Sequence, residues 1–205
     1  MVNQMEKKTR NPQKTRQRLL QSASEEIHMH GFQGMRVDEV LRIAGLQKGA
    51  FYHHFSSKVE LGYAVLEEQI TPLLETIWIE PLKDIENPIT DFPLMLEQLF
   101  EKVPNNMLEH GCPLNNLAQE MASQDAGFQE RVVVLFEHWI AAYTRLFEVA
   151  QTNGHVRKDI NAEDIARFLV ATLEGCISIF KAEQSPDQWR ACQSQIEVYL
   201  HAVKA

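Results

Sequence analysis

Residues 36–58 read RVDEVLRIAGLQKGAFYHHFSSK, and the rest of the chain is best understood outward from them. Val37, Val40, Leu41 and Ala44 recur at helical spacing, which gives a short amphipathic helix whose apolar stripe faces other helices. Gly45 interrupts it. A glycine accepts the positive φ of a sharp exit, and Leu46 behind it can fill the angle between two helices, the arrangement of a helix-turn-helix. The second helix is expected to begin near Gln47 or Lys48 and run to Phe55. Leu46, Phe51 and Phe55 would point inward, and Lys48, Ala50, Tyr52, His53 and His54 outward.

The outward face suits nucleic acid. Lys48 falls at the helix start, where unpaired N–H groups and the positive end of the dipole favour a phosphate. Gly49 and Ala50 are small enough for backbone to approach a groove. Tyr52, His53 and His54 offer hydrogen bonds on flat rings, and Lys58 lies at the start of the next element. A major groove about 12 Å wide admits one such helix. Taken together, Gly31-Phe32, Val37-Asp38-Glu39-Val40, Ala44-Gly45-Leu46, Lys48 through Phe55 and Ser57-Lys58 closely resemble the DNA-binding domain of TetR-family transcriptional repressors.

That resemblance covers roughly the first 60 residues and carries a plan for the whole chain. It implies an all-α fold of about nine helices, with an N-terminal three-helix helix-turn-helix domain and a C-terminal helical ligand-binding and dimerisation domain. The expected division is a basic arm over 1–11, the DNA-binding domain over 12–58, and an effector and dimer domain over 73–205. The start of a fourth helix extends the DNA-binding domain to about residue 72. The contact set implied on DNA is Arg36, Gln47, Lys48, Gly49, Ala50, Tyr52, His53, His54 and Lys58. One departure stands out. Family members usually carry Ser or Thr where this chain has Met35-Arg36, so the first helix of the motif lacks its hydroxyl cap, worth about 1 kcal/mol.

Net charge is -8 over 205 residues, which taken alone argues against a nucleic-acid partner. Its distribution reverses the argument. Residues 1–60 carry ten Lys and Arg against six Asp and Glu, whereas residues 61–205 carry ten against 22. A basic small domain joined to an acidic larger one fits a DNA reader with a separate sensing part. No run approaches the roughly 20 apolar residues of a membrane span. The polar start MVNQMEKKTRNPQK lacks a signal-peptide core, so no membrane partner and a cytoplasmic location are expected. Cys112, Cys176 and Cys192 are an odd number without paired spacing, which reads as reduced thiols and as neither a disulfide frame nor a metal site.

Along the chain, Pro12 opens a helix to about His30, with Leu19, Leu20, Ala23 and Ile27 inward and Gly31 at its end. His28 and His30 are two apart and read as surface residues. Ser57 caps a fourth helix through Leu61, Val65, Ile70, Leu74 and Trp78, with a kink near Thr71 because Pro72 cannot donate. KDIENPITDFP, residues 83–93, reads as a linker, followed by a helix carrying Leu94 to Phe100. Asn105, Asn106, His110 and Gly111 mark a loop before the Gly-Cys-Pro-Leu-Asn-Asn-Leu-Ala segment at 111–118. Pro113 suits a first helical position and puts Cys112 at the cap, where the dipole would lower its thiol pKa. A long helix over about 128–152 ends at Asn153-Gly154. Two punctuated helices close the chain at 161–182 and 186–203 and are expected to pair with their copies in a homodimer; close helix approach would explain Gly175.

The function read from this pattern is a DNA-binding regulator, a repressor that holds a palindromic double-stranded operator as a dimer and is released by a small-molecule effector. Trp78, Cys112, Asn116, His138, Trp139, Tyr143 and Phe180 are the candidate effector contacts. The alternative within the class is a thiol-based sensor using Cys112. A helical thiol enzyme, with Cys112 as nucleophile and His110 or His138 as base, lacks an evident third orienting group or anion hole, and neither a catalytic set nor a cofactor is assigned. A dimeric scaffold that binds DNA without an effector would share the first domain and lack the pocket. Arg36, standing where a cap is missing, is expected to reach a phosphate. Arg36→Thr should then flatten the salt dependence of DNA binding by about one counterion, and an unchanged slope in retardation assays at several salt concentrations removes it from the contact set.

Overall fold

A computed structural model describes residues 11–103 and 109–205; residues 1–10 of the arm expected over 1–11, and the loop residues Asn105 and Asn106, lie outside the described residues. The chain divides into two compact units, one ending at Gln69 and the other beginning at Ile70. The all-α architecture holds: the described residues form helices and turns, with one isolated antiparallel bridge between Val156 and Lys204. None of the described helices is long and apolar enough to cross a membrane.

The first unit holds α1 (Pro12–Gly34), α2 (Val37–Ala44), α3 (Lys48–His54) and α4 (Lys58–Val65). Asn11 caps α1 by accepting the Lys14 N–H at 3.2 Å, and Pro12 occupies a first-turn position that needs no donor. At Gly31 the backbone swings to φ 74° and ψ 165°, so the helix is broken where the sequence put its end and only one further turn reaches Gly34. Gly45 takes φ 60° and ψ 43°, the left-handed exit of α2, and the Leu46 N–H returns to the Leu41 carbonyl at 2.9 Å. Leu46 itself is half-buried. Leu19, Leu20, Ala23, Val40, Leu41, Phe51, Phe55 and Leu61 are buried together as the core. Arg18 donates to the Ala44 carbonyl and so ties the end of α2 to α1.

The kink expected near Thr71 takes the form of widened turns. Two π turns, Leu66–Ile70 and Glu75–Ile79, flank a short α5 (Thr71–Leu74), and a 3-10 turn follows over Glu80–Asp84. Pro72 has no N–H for the Glu68 carbonyl four residues back, and the Gln69 side-chain amide donates to that carbonyl at 2.9 Å.

The second unit continues with α6 (Pro88–Lys102), α7 (Pro113–Met121), α8 (Ala126–Thr152), α9 (Ala162–Glu183) and α10 (Pro186–Ala202). The linker is shorter than the composition of 83–93 suggests. Asn87 accepts the Ile89 N–H and Asp91 accepts from Glu86 and Asn87, so α6 starts at Pro88 and contains Pro93. Asp125 caps α8 and Asn161 caps α9. Trp139, Tyr143, Phe92, Phe128 and Phe147 are fully buried at the centre.

The cysteines correct the reading of three reduced thiols. Cys176 on α9 and Cys192 on α10 are joined as a disulfide, their Cα atoms 6.1 Å apart, and Cys112 is free. A spacing of 16 residues carries no sign of this pairing. It arises because Gln184 turns left-handed at φ 52° and folds α10 back along α9, its own side chain donating to the Glu109 and Lys181 carbonyls at 3.1 and 2.8 Å.

Gly45 is the residue on which the first unit's turn depends. A Cβ added there would meet the Arg18 guanidinium at 3.1 Å in a left-handed backbone. Gly45→Ala should therefore cost about 1–2 kcal/mol in chemical denaturation, whereas Gly49→Ala, whose Cβ meets open space, should not destabilise the chain.

Candidate nucleic-acid interface and ligand cavity

Helix α3 is seated by Phe51 and Phe55, which are buried, and shows Gln47, Lys48, Gly49, Tyr52 and His53 to solvent. Tyr52 is 60% exposed although it is a large aromatic. Its ring packs edge-on to Phe51 at 5.2 Å, so the hydroxyl is held at a defined height above the surface. Ala50 and His54 are half-buried. The His54 ring sits 4.9 Å from that of His53, and burial, then the charges of His53 and Arg16, push its pKa below the ordinary histidine value. His54 is thereby kept neutral, a hydrogen-bonding group more than a charge.

Two basic side chains brace the same unit. Lys58 donates to the Gln33 carbonyl at 3.0 Å and lies 5.0 Å from the Phe32 ring centre. Arg16 pairs with Glu68 and covers the Phe55 ring at 4.9 Å. Both keep positive charge at the surface while fixing a helix end. Arg36 is exposed at the N-cap of α2 and makes no side-chain cap bond. Nearby on α2, Glu39 and Arg42 pair across one turn at 2.9–3.0 Å.

The second unit contains a half-open cavity of about 70 Å³. Leu73, Leu74, Ile77 and Trp78 form one wall, Leu99, Phe100 and Val103 another, and Cys112, Leu114, Ile177 and Trp189 close it. None of its lining residues carries a charge. Of the sequence candidates, Trp78 and Cys112 line it. The other five lie elsewhere: Trp139 and Tyr143 are wholly buried core, Phe180 packs edge-on against Phe100 at 5.6 Å, and His138 pairs with Glu75. Asn116 serves the loop before α7, donating to the His110 carbonyl at 2.7 Å and accepting from Lys181 at 3.1 Å. Leu73, Ile77, Leu99, Phe100 and Trp189 were missed because an apolar residue at helical spacing reads the same whether it faces a core or a cavity.

Cys112 stands at the N-cap of α7 but the dipole does not set its pKa. Burial, followed by the nearby Glu174 carboxylate, raises the thiol well above its usual value, so the expected acid thiol is corrected to a protonated one. Glu174 on α9 is 6% exposed, close to Cys112 and Asn115, with neither oxygen in a hydrogen bond of ordinary geometry. Desolvation pushes its carboxyl up to about 7.

Comparison with known proteins agrees with this arrangement. Residues 19–65 match the description "Bacterial regulatory proteins, tetR family", and residues 94–196 match "Tetracyclin repressor-like, C-terminal domain". The chain is 28% identical to the HTH-type transcriptional repressor DhaR of Mycobacterium sp. (strain GP1), over 83% of this chain and 84% of that one. It is also 28% identical to the transcriptional regulator AcuR of Cereibacter sphaeroides, over 83% and 78%. Among solved structures, a regulatory protein TetR from Rhodobacter sphaeroides superposes with a TM-score of 0.77 at 26% identity, covering 89% of this chain and 97% of that one.

Glu174 gives a pH test of the buried site. Its folded pKa of about 7 lies above the ordinary 4.5, so the folded chain retains a proton that the unfolded chain releases. The associated stability is complete below about pH 4.5 and is lost as pH rises through 7, on the order of 3 kcal/mol in all. Glu174→Gln should abolish this decline and raise the denaturation midpoint at pH 8; a variant that keeps the wild-type slope places the titration elsewhere.

Proposed function

The chain belongs to the tetR family of bacterial regulatory proteins, and from that premise we propose that it is a ligand-released repressor. In this reading a homodimer grips a palindromic operator with two copies of α3, and an uncharged small molecule in the cavity of the second unit weakens that grip. Residues 12–58, extended to about 72, form the DNA-binding domain, residues 73–205 the effector and dimer domain, and the arm over 1–11 adds positive charge near the backbone. The observation that carries the reading is the outward set on α3. Gln47, Lys48, Tyr52 and His53 are exposed while Phe51 and Phe55 beneath them are buried, so the polar face is presented by a fixed support. Lys48, Lys58 and Arg36 supply phosphate contacts; Tyr52, His53 and His54 supply groups for base edges, with Gly49 and Ala50 allowing close approach.

The dimer is supported by the faces of α9 and α10. Phe168, Ala171, Gly175, Ile179 and Ala182 follow one another along an exposed stripe of α9, and Ala191, Val198 and Ala202 along α10. Phe168, Ile179 and Val198 are 47%, 46% and 59% exposed, and a Cβ at Gly175 would meet open space. Small residues between large apolar ones suit close packing against another helix, and the occupant assigned is a second copy of this chain. A two-fold pair places its reading helices about 34 Å apart, one per half-site. Effector binding then favours a dimer whose heads are misaligned with successive grooves, and affinity for DNA falls by linkage.

A second reading, a covalent thiol sensor, is favoured by one observation, the place of Cys112 in the cavity wall. The raised thiol pKa makes the resting group a weak nucleophile, so the non-covalent route stands first. Cys112→Ser separates the two: it spares effector release in the first and abolishes it in the second.

Sequencing the genomic fragments retained by the purified protein supplies an operator on which the face can be tested. Lys48→Ala should weaken binding across sequences and make the salt dependence shallower by about one counterion, whereas Tyr52→Ala should relax preference at one position, at a cost of about 1–3 kcal/mol. Ile179→Asp should shift the mass in light scattering from dimer to monomer and abolish operator retardation; a wild-type chain that is monomeric at micromolar concentration overturns the dimer.

A further inference from the structure

The disulfide between α9 and α10 occupies a position that the regulator reading leaves unused. Ile177, next to Cys176, and Trp189, one turn before Cys192, both belong to the cavity wall. Trp189 stacks on Phe100, another wall residue, at 5.3 Å and 12°. The two cysteines therefore bracket the part of the wall contributed by α9 and α10. Their Cα separation of 6.1 Å lies in the range that a disulfide spans without backbone movement. Between them the chain makes its left-handed turn at Gln184 and restarts at Pro186, so the bond clamps the turn-proximal end of a helix pair whose far end packs through Phe168 and Tyr199, their rings 4.3 Å apart.

We propose that Cys176 and Cys192 form a redox-active dithiol site, closed by small disulfides of the oxidised-glutathione type, and that closure fixes this wall of the effector cavity. The regulatory half of the proposal rests on the cavity being the effector site; the dithiol site itself does not. The two sulfurs are unequal. Cys176 is 5% exposed, whereas Cys192 is half-buried and accepts from the Gln188 side-chain amide at 3.5 Å. Cys192 is accordingly the attacking group. Its thiolate displaces one thiolate from the small disulfide and forms a mixed disulfide. The Cys176 thiolate then attacks the Cys192 sulfur and expels the second. Two protein thiols are oxidised, one small disulfide is reduced to two thiols, and the two protons lost by the protein end on those products. Cys112 takes no part, because its thiol lies against Glu174 and is held protonated. Preorganising the wall favours a ligand by reducing what binding has to order.

The experiment uses the full chain poised in glutathione buffers, denatured and alkylated for mass spectrometry, with indole as the cavity probe in calorimetry. Three alkylatable cysteines should fall to one in a single two-electron transition, and in Cys112→Ser two should fall to none at the same midpoint. Amide exchange over residues 177–191 should slow at least about tenfold on oxidation, and indole should bind the oxidised form at least about threefold more tightly. Cys176→Ser and Cys192→Ser should bind indole with no redox dependence. Bonds between chains on a non-reducing gel, or two glutathione adducts per chain, overturn the dithiol site. Equal indole affinity in both redox forms overturns the regulatory half with the cavity reading intact. Indole binding to neither form overturns the cavity reading and the regulation with it, while the thiol count still decides the site.

Discussion

The second unit is built against Trp139. Its indole is completely buried, stacks on Trp78 at 4.9 Å with planes 29° apart, and meets Tyr143 edge-on at 6.0 Å. Tyr143 in turn meets Phe92 edge-on at 5.4 Å. Such pairs contribute about 0.5–1.5 kcal/mol each beyond the area they bury, and together they join α6, α8 and the wide-turned segment that carries Trp78. That segment has weak local geometry, since two π turns surround Pro72, so the stack is what holds it. Because Trp78 is both the partner of Trp139 and a wall of the cavity, the core and the cavity are two faces of one packing arrangement.

Beside this packing lies a set of buried polar atoms in strained circumstances. The Trp139 and Trp189 indole nitrogens, the Tyr143 hydroxyl and both Glu174 oxygens are buried without a hydrogen bond of ordinary geometry. Glu174 has the Cys112 and Asn115 side chains within reach and Tyr143 has Trp139, so these groups are poorly paired and not isolated. Trp189 lines the cavity and Glu174 lies against its Cys112, whereas Trp139 and Tyr143 belong to the core beside it.

The first unit was legible in the sequence because its decisive positions are occupied by residues with few alternatives. Gly31 and Gly45 both adopt the positive φ that ended a helix, Pro12 and Ser57 mark starts, and Phe51 and Phe55 take the buried side of α3. The second unit was legible as helices and much less so as a site. Its lining is drawn from the same apolar periodicity that builds its core, and nothing in the order of residues separates Leu99 from Leu96 or Phe100 from Phe92. The disulfide was illegible for a different reason: it depends on Gln184, a residue with no special claim on a left-handed turn, supported by two side-chain hydrogen bonds that exist only after folding. Cys112 shows two local effects in competition. The helix terminus favours a thiolate, but loss of solvent and the neighbouring carboxylate outweigh it.

The two units differ in where they can give way. In the first, the turn of the motif is pinned by Arg18 on the Ala44 carbonyl, the α4 start by Lys58 on the Gln33 carbonyl, and Phe55 by the Arg16 guanidinium above it. Each tie joins elements distant in sequence and fixes one of the segments that flank α3. The second unit holds the widened turn over Glu75–Ile79, the poorly paired buried polar groups and the cavity, while the widened turn over Leu66–Ile70 runs across the end of the first unit. The first unit is therefore the more tightly tied of the two, and the poorly paired groups gather in the second.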